Sequence, residues 1–81
     1  MNIIKVYGSG CASCKKLEQM CYNALQELQI DASVEKVTDL QEIIKTGILS
    51  TPGLEINGKM ISSGKLPTKT TLVHWIQDNI N

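Results

Sequence analysis

The spacing of hydrophobic residues changes along this chain, and each spacing predicts a secondary-structure element. Ile3–Tyr7 is a nearly continuous apolar run, which is typical of a strand that is covered on both faces. The following apolar residues recur at the three- and four-residue spacing of a helix, which we expect to end near Gln29. They are Leu17, Met20, Cys21, Ala24, Leu25 and Leu28. Residues 32–37 predict a second, more polar strand at an edge of the sheet.

A short helix is predicted after the second strand. Thr38 and Gln41 have the spacing of a capping box, and Gly47 is a suitable end for the helix. Its apolar residues are Leu40, Ile43 and Ile44.

The remaining residues predict a β-hairpin and a last helix. Residues 53–62 contain two short strands around Asn57 and Gly58, a pair that suits a type I′ turn. Pro67 and Thr68 are expected to start the last helix. Its apolar residues are Leu72, Val73, Ile76 and Ile80. The order is βαβαββα, in which a right-handed crossover makes the first two strands parallel and the hairpin extends the sheet antiparallel.

Two cysteines at the predicted start of the first helix carry the candidate chemistry. Cys11 and Cys14 follow the turn 8–10, and helical spacing places their Cα atoms roughly 5–6 Å apart, within disulfide range. A helix N-terminus offers unpaired N–H groups and a partial positive charge, so it favours a thiolate over a thiol. Lys15 and Lys16 add positive charge in the first turn. Such a pair suits reversible thiol–disulfide exchange.

Composition narrows the classes of function. The chain of 81 residues fits one domain, spanning residues 1–81, with a small core. Eight basic residues balance eight acidic ones, which argues against nucleic-acid or membrane-surface binding. The first residues lack the long apolar run of a signal peptide, so we expect a cytoplasmic protein. In that compartment a CxxC pair is more often catalytic or metal-binding than structural.

The order of these elements and motifs resembles the thioredoxin fold in its small, glutaredoxin-sized form. The CxxC pair lies between the first strand and the first helix, and Ser50-Thr51-Pro52 leads into the hairpin. More narrowly, the Gly-x-Gly-Cys-x-x-Cys-Lys pattern is similar to that of the small redox-active-disulfide proteins of bacteria and archaea. The resemblance covers essentially the whole chain. It implies an α/β fold with a four-stranded mixed sheet flanked by three helices.

The resemblance also implies the activity of a monomeric thiol–disulfide oxidoreductase. Cys11 would attack a substrate disulfide, and Cys14 would resolve the mixed disulfide. The partners implied are a protein disulfide substrate and an upstream reductase or low-molecular-weight thiol. The Cys11–Cys14 disulfide would be the redox group, with no organic cofactor and no metal.

Four further residues are predicted to bind substrate, two of them from the resemblance. In this family a cis-proline precedes the third strand, and the backbone of the residue before it pairs with substrate. Thr51 and Pro52 match those positions, and a proline at the start of a strand is also expected because it lacks a ladder N–H. Gly10 and Ala12 would let the backbone of a partner approach the cysteines.

Lys5 stands at a spacing where thioredoxins carry a buried acid, six residues before the first cysteine. Its stem either runs along the sheet so that the charge reaches solvent, or lies beneath the disulfide and helps to hold a thiolate. Lys15 is the second candidate for tuning the thiol.

The remaining notable residues have structural interpretations. Cys21 is seven residues after Cys14, roughly 10 Å along the helix, so we expect a small core residue rather than a disulfide partner. His74 is expected at the surface and Trp75 at the edge of the last helix. Tyr7 either packs in the core or flanks the disulfide.

A soft-metal carrier is the alternative function. Heavy-metal-binding domains also place a CxxC pair after a first strand and bind Cu(I) or zinc through both thiolates. Their order is βαββαβ, whereas this chain is predicted to have a helix after its second strand and another at its end. The element order therefore favours redox chemistry, although two thiolates near a helix N-terminus suit a soft metal in any fold.

Overall fold

The computed structural model describes residues 2–80, and its elements occur in the predicted order βαβαββα. The strands are β1 (Ile3–Tyr7), β2 (Ser33–Val37), β3 (Gly53–Ile56) and β4 (Lys59–Ser63). The helices are α1 (Ala12–Leu28), α2 (Leu40–Lys45) and α3 (Lys69–Asn79). Within residues 2–80, no helix combines the length and the apolarity that crossing a bilayer requires.

The four strands form one mixed sheet in the order β2-β1-β3-β4. β1 runs parallel to β2, and β3 runs antiparallel to both β1 and β4. The polar strand β2 is at an edge, as predicted, because only one of its sides is paired. This topology brings the carboxyl end of β1, where the CxxC pair follows, beside the start of β3, where Pro52 leads in.

One face of the sheet carries the hydrophobic core. Ile4 and Val6 of β1 are directly opposite Ile56 and Leu54 of β3, so all four side chains leave the same face. All four are at most 1% exposed. α1 and α3 cover this face with the apolar residues predicted at helical spacing, and the buried ones are Leu17, Cys21, Ala24, Leu25, Leu72 and Ile76.

The start and the apolar face of α2 differ from the prediction. The N-cap is Asp39 rather than Thr38, since the Asp39 carboxylate accepts a hydrogen bond of 2.9 Å from the N–H of Gln41. Only Ile43 of the three apolar residues is buried, whereas Leu40 is 67% and Ile44 is 63% exposed. A helix of six residues has room for little more than one inward-facing position, because successive residues turn by about 100°.

The hairpin turn is as predicted, and the last helix starts slightly later than predicted. Asn57 and Gly58 have positive φ angles of 51° and 85°, which is the backbone of a type I′ turn. α3 begins at Lys69 with Thr68 as its N-cap, so Pro67 precedes the cap instead of starting the helix.

Candidate active site

Cys11 and Cys14 lie where the first strand passes into the first helix. Cys11 is the N-cap of α1, with an extended backbone, and Cys14 is the third residue of the helix. Their Cα atoms are 5.1 Å apart, inside the predicted range, and the two sulfurs form a disulfide. The pair closes a small ring at a helix N-terminus, which is the arrangement that reversible disulfide formation requires.

The two cysteines differ sharply in their access to solvent. Cys11 is exposed, whereas Cys14 lies on the inner face of α1 and is 1% exposed. The backbone N–H of Cys14 donates a hydrogen bond of 3.3 Å to Cys11 Sγ. A negatively charged Cys11 sulfur would accept this bond more strongly than a neutral one, because hydrogen bonds to ionised acceptors are the stronger ones. An incoming disulfide can therefore reach Cys11 but not Cys14.

Positive charge near the pair comes mainly from the helix itself. The orphan N–H groups of the first turn of α1 point toward the Cys11 end of the helix. Lys15 and Lys16 are both exposed, so water and salt screen their ammonium groups. Because Lys15 is exposed, its charge should have only a small effect on the reactivity of the thiol.

The four predicted docking residues have different environments. The Thr51–Pro52 peptide bond is cis, Thr51 is exposed and Pro52 is buried. The N–H of Gly64 donates a hydrogen bond of 2.9 Å to the Pro52 carbonyl, which anchors the proline to the residue after β4. On the helix side, Ala12 is exposed and Gly10 is half-buried with a φ of 91°.

Gly8 lies close to both Cys14 and Thr51. A Cβ built on Gly8 would overlap Cys14 Sγ, and it would lie 3.7 Å from the Cβ of Thr51. The end of β1, the buried cysteine and the loop before β3 therefore meet at this glycine. The sequence alone indicates only a turn at Gly8, because a close approach between residues 8 and 14 leaves no signal in their spacing.

Lys5 and Tyr7 leave the face of the sheet opposite the core, since they alternate with buried Ile4 and Val6. Lys5 is half-buried, and its registered neighbours are Glu35 on β2 and Glu55 on β3. Two acidic residues thus flank Lys5 in the register of the sheet.

Tyr7 is a buried residue with a specific polar partner. Its side chain is 6% exposed, and its hydroxyl donates a hydrogen bond of 3.0 Å to Glu55 Oε1. Burial, followed by the hydrogen bond to Glu55 and its negative charge, raises the pKa of Tyr7 to about 12. Tyr7 therefore stays a neutral donor at neutral pH.

The remaining predictions for single residues agree with the structure. Cys21 is a free thiol with no exposed surface, and burial raises its pKa to about 12, followed by a smaller effect of Glu18. His74 is exposed, and Trp75 is half-buried against the core. These residues contribute to packing or to the surface rather than to the disulfide.

The residues that the structure describes offer few ligands for a metal ion. Among residues 2–80, no group of three or more His, Cys, Asp and Glu side chains is arranged to hold a metal ion. The CxxC pair itself supplies two sulfur ligands, which is half of the set in a tetrahedral zinc site.

Comparisons with known proteins agree with this geometry. A family model described as a thioredoxin domain matches residues 2–77. A thioredoxin of Methanothermobacter thermautotrophicus is 38% identical over 66 residues, which cover 82% of this chain and 86% of the relative. A thioredoxin of Methanocaldococcus jannaschii is 35% identical over 68 residues, which cover 84% of this chain and 78% of the relative.

The fold also matches a solved structure. Thioredoxin-2, described as a component of malaria parasite protein secretion machinery, superimposes with a TM-score of 0.68. The match covers 96% of this chain and 82% of the other at 15% identity, so it supports the fold alone. The family model and the two archaeal relatives supply the function, together with the paired cysteines. This chain belongs to the thioredoxin family, and it is a thiol–disulfide oxidoreductase whose redox group is the Cys11–Cys14 disulfide.

Proposed function

We propose that Cys11 is the attacking thiol and that Cys14 is the resolving thiol. The observation that carries this assignment is the difference in exposure, since Cys11 is open to solvent and Cys14 is 1% exposed. Nucleophilic attack on a disulfide needs an approach along the S–S axis, which a sulfur on the inner face of α1 does not offer. The helix N-terminus and the N–H of Cys14 favour the thiolate at Cys11.

The proposed reaction has two exchange steps. The Cys11 thiolate attacks one sulfur of a substrate disulfide, so that a Cys11–substrate disulfide forms and the other substrate sulfur leaves as a thiolate that takes a proton from water. Cys14 then loses its proton and attacks Cys11 Sγ, which forms the Cys11–Cys14 disulfide and releases the second substrate thiol. Two electrons pass from the dithiol to the substrate.

Substrate binding is proposed at the surface around Cys11. Gly10 and Ala12 leave space for a partner's backbone on one side, and on the other the exposed Thr51 pairs with the partner while the buried Pro52 holds Thr51 in place.

The proposed partners are a protein disulfide and an upstream reductase or low-molecular-weight thiol that restores the dithiol. The redox pair lies within one copy of the chain, so we propose a monomer that works without a metal or an organic cofactor. A cytoplasmic location fits this cycle, because reducing conditions there keep such a pair available as a dithiol.

Trapping of mixed disulfides tests the roles of the two cysteines. Cys14→Ser should accumulate an adduct through Cys11, because the resolving sulfur is missing. Cys11→Ser should accumulate little, because the remaining sulfur is buried. Mass spectrometry of the adducts identifies the attached cysteine, and adducts mainly at Cys14 would reverse the assignment.

A further inference from the structure

Gly8 is buried at the end of β1, and its backbone does not explain why it is glycine. The described glycines with positive φ are Gly10, Gly47, Gly58 and Gly64, so Gly8 has a backbone conformation that other residues adopt readily. The requirement for glycine at this position is steric. A Cβ at Gly8 would overlap Cys14 Sγ and would lie 3.0 Å from Cys14 Cβ, which is inside normal contact distance.

The backbone of Gly8 has little freedom to move away from this contact. Its N–H donates a hydrogen bond of 2.9 Å to the carbonyl of Val37, which fixes it to the end of β2. A Cβ added at Gly8 would also lie 3.7 Å from the Cβ of Thr51. An added methyl group would therefore have to displace the Cys14 side chain rather than the strand.

The Cys14 sulfur has different freedom in the two redox states. In the disulfide, its position is fixed by the bond to Cys11 Sγ and by a Cα–Cα separation of 5.1 Å. In the dithiol that bond is absent, so only the ordinary preference of the Cα–Cβ bond for staggered positions and the surrounding packing hold the Cys14 sulfur in place. A group that occupies the Sγ position therefore disfavours the disulfide more than the dithiol.

We propose that Gly8 is a positioning residue for the redox reaction, because its lack of a side chain provides the space that the Cys14 sulfur needs to close the disulfide. This inference rests on exchange at the Cys11–Cys14 pair. It does not depend on which of the two cysteines attacks first, because the equilibrium between dithiol and disulfide is independent of the path.

Equilibration with glutathione redox buffers tests the proposal through Gly8→Ala. We expect the equilibrium constant for forming the Cys11–Cys14 disulfide to fall at least about tenfold, which corresponds to a reduction potential higher by about 30 mV. An unchanged constant, or one shifted toward the disulfide, would overturn the role of Gly8. Wild-type protein that fails to equilibrate would instead contradict the exchange function itself.

Gly53→Ala is the matched control. Gly53 is also buried and also lacks a positive φ, but its added Cβ would meet the end of the Ile48 side chain at 2.7 Å and Tyr7 Cβ at 3.4 Å. Gly53→Ala should lower the stability of the oxidised and reduced forms alike, so the equilibrium constant should stay near the wild-type value. A shift equal to that of Gly8→Ala would show that any added methyl group near the site has this effect, which would also overturn the proposal.

A comparison of the two redox forms keeps the proposal testable if Gly8→Ala is less stable than wild type. The methyl group at position 8 should cost more stability in the oxidised protein, where the bond to Cys11 fixes the Cys14 sulfur, than in the reduced protein. Denaturant unfolding of wild type and Gly8→Ala in both redox forms measures this difference. Equal losses in the two forms would show that Gly8 does not act on closure of the disulfide.

Discussion

The hydroxyl of Tyr7 on β1 donates a 3.0 Å hydrogen bond to Glu55 on β3, across the strand pair that leads to the disulfide. Tyr7 is directly opposite Gly53, which follows Pro52 in the chain. The phenol therefore ties the two strands together close to the point where Cys11 and the proline loop meet. This hydrogen bond stabilises the two strands that hold the site and takes no part in the exchange reaction.

Tyr7→Phe should destabilise the fold by about 1 kcal/mol, because the half-buried Glu55 carboxylate loses its donor. Denaturant unfolding measures the change. Tyr22→Phe is the matched control, since Tyr22 is 48% exposed. Equal effects of the two substitutions would show that the bond to Glu55 contributes nothing.

The same tyrosine predicts a loss of stability at high pH. The pKa of Tyr7 is about 12 in the folded protein against an ordinary value of 10.0, so the unfolded chain releases this proton first. The contribution is complete below pH 10 and disappears as the pH rises through 12. Unfolding curves should therefore show a steeper loss for wild type than for Tyr7→Phe in this window, and parallel losses would contradict it.

Cys21 should resist chemical modification in the folded protein. Cys21 has no exposed surface, so a reagent cannot reach its sulfur. Burial also raises the pKa of Cys21 from 9.0 to about 12, so the sulfur is a neutral thiol at neutral pH. In a Cys11→Ser/Cys14→Ser background, iodoacetamide should label Cys21 only as fast as the chain unfolds, and quickly in denaturant. Labelling in native buffer at the rate of a free thiol would show that the helix face opens locally.

The sequence predicted the order of the elements because strands and helices alternate with clear hydrophobic periods and recognisable turn residues. It placed the cap of α2 one residue early, because Thr38 and Asp39 are both suitable caps and the spacing to Gln41 alone does not choose between them. The role of Gly8 was beyond sequence reasoning for a different reason. It depends on a contact with Cys14 across the strand–helix junction, and a glycine in a turn is ordinarily explained by its backbone.

Lys5→Met should leave the reactivity of Cys11 unchanged. The substitution keeps most of the stem and removes the charge, but Glu35 and Glu55 flank Lys5 in the sheet, so its field at the disulfide is offset. The measurement is the rate of Cys11 alkylation against pH, with Lys15→Met as a control for an exposed charge. A midpoint moved to higher pH in Lys5→Met alone would instead assign Lys5 to stabilising the thiolate.

Turnover of insulin disulfides tests the central claim most directly, because a redox protein and a soft-metal carrier give opposite results. Protein purified under reducing conditions and supplied with dithiol should reduce insulin over many cycles, and Cys11→Ser should fall to the rate of dithiol alone. Metal content and retention against a competing chelator are measured on the same sample. We predict repeated turnover without tightly held metal; about one equivalent of Cu(I) or zinc that resists the chelator, with negligible turnover, would contradict the account.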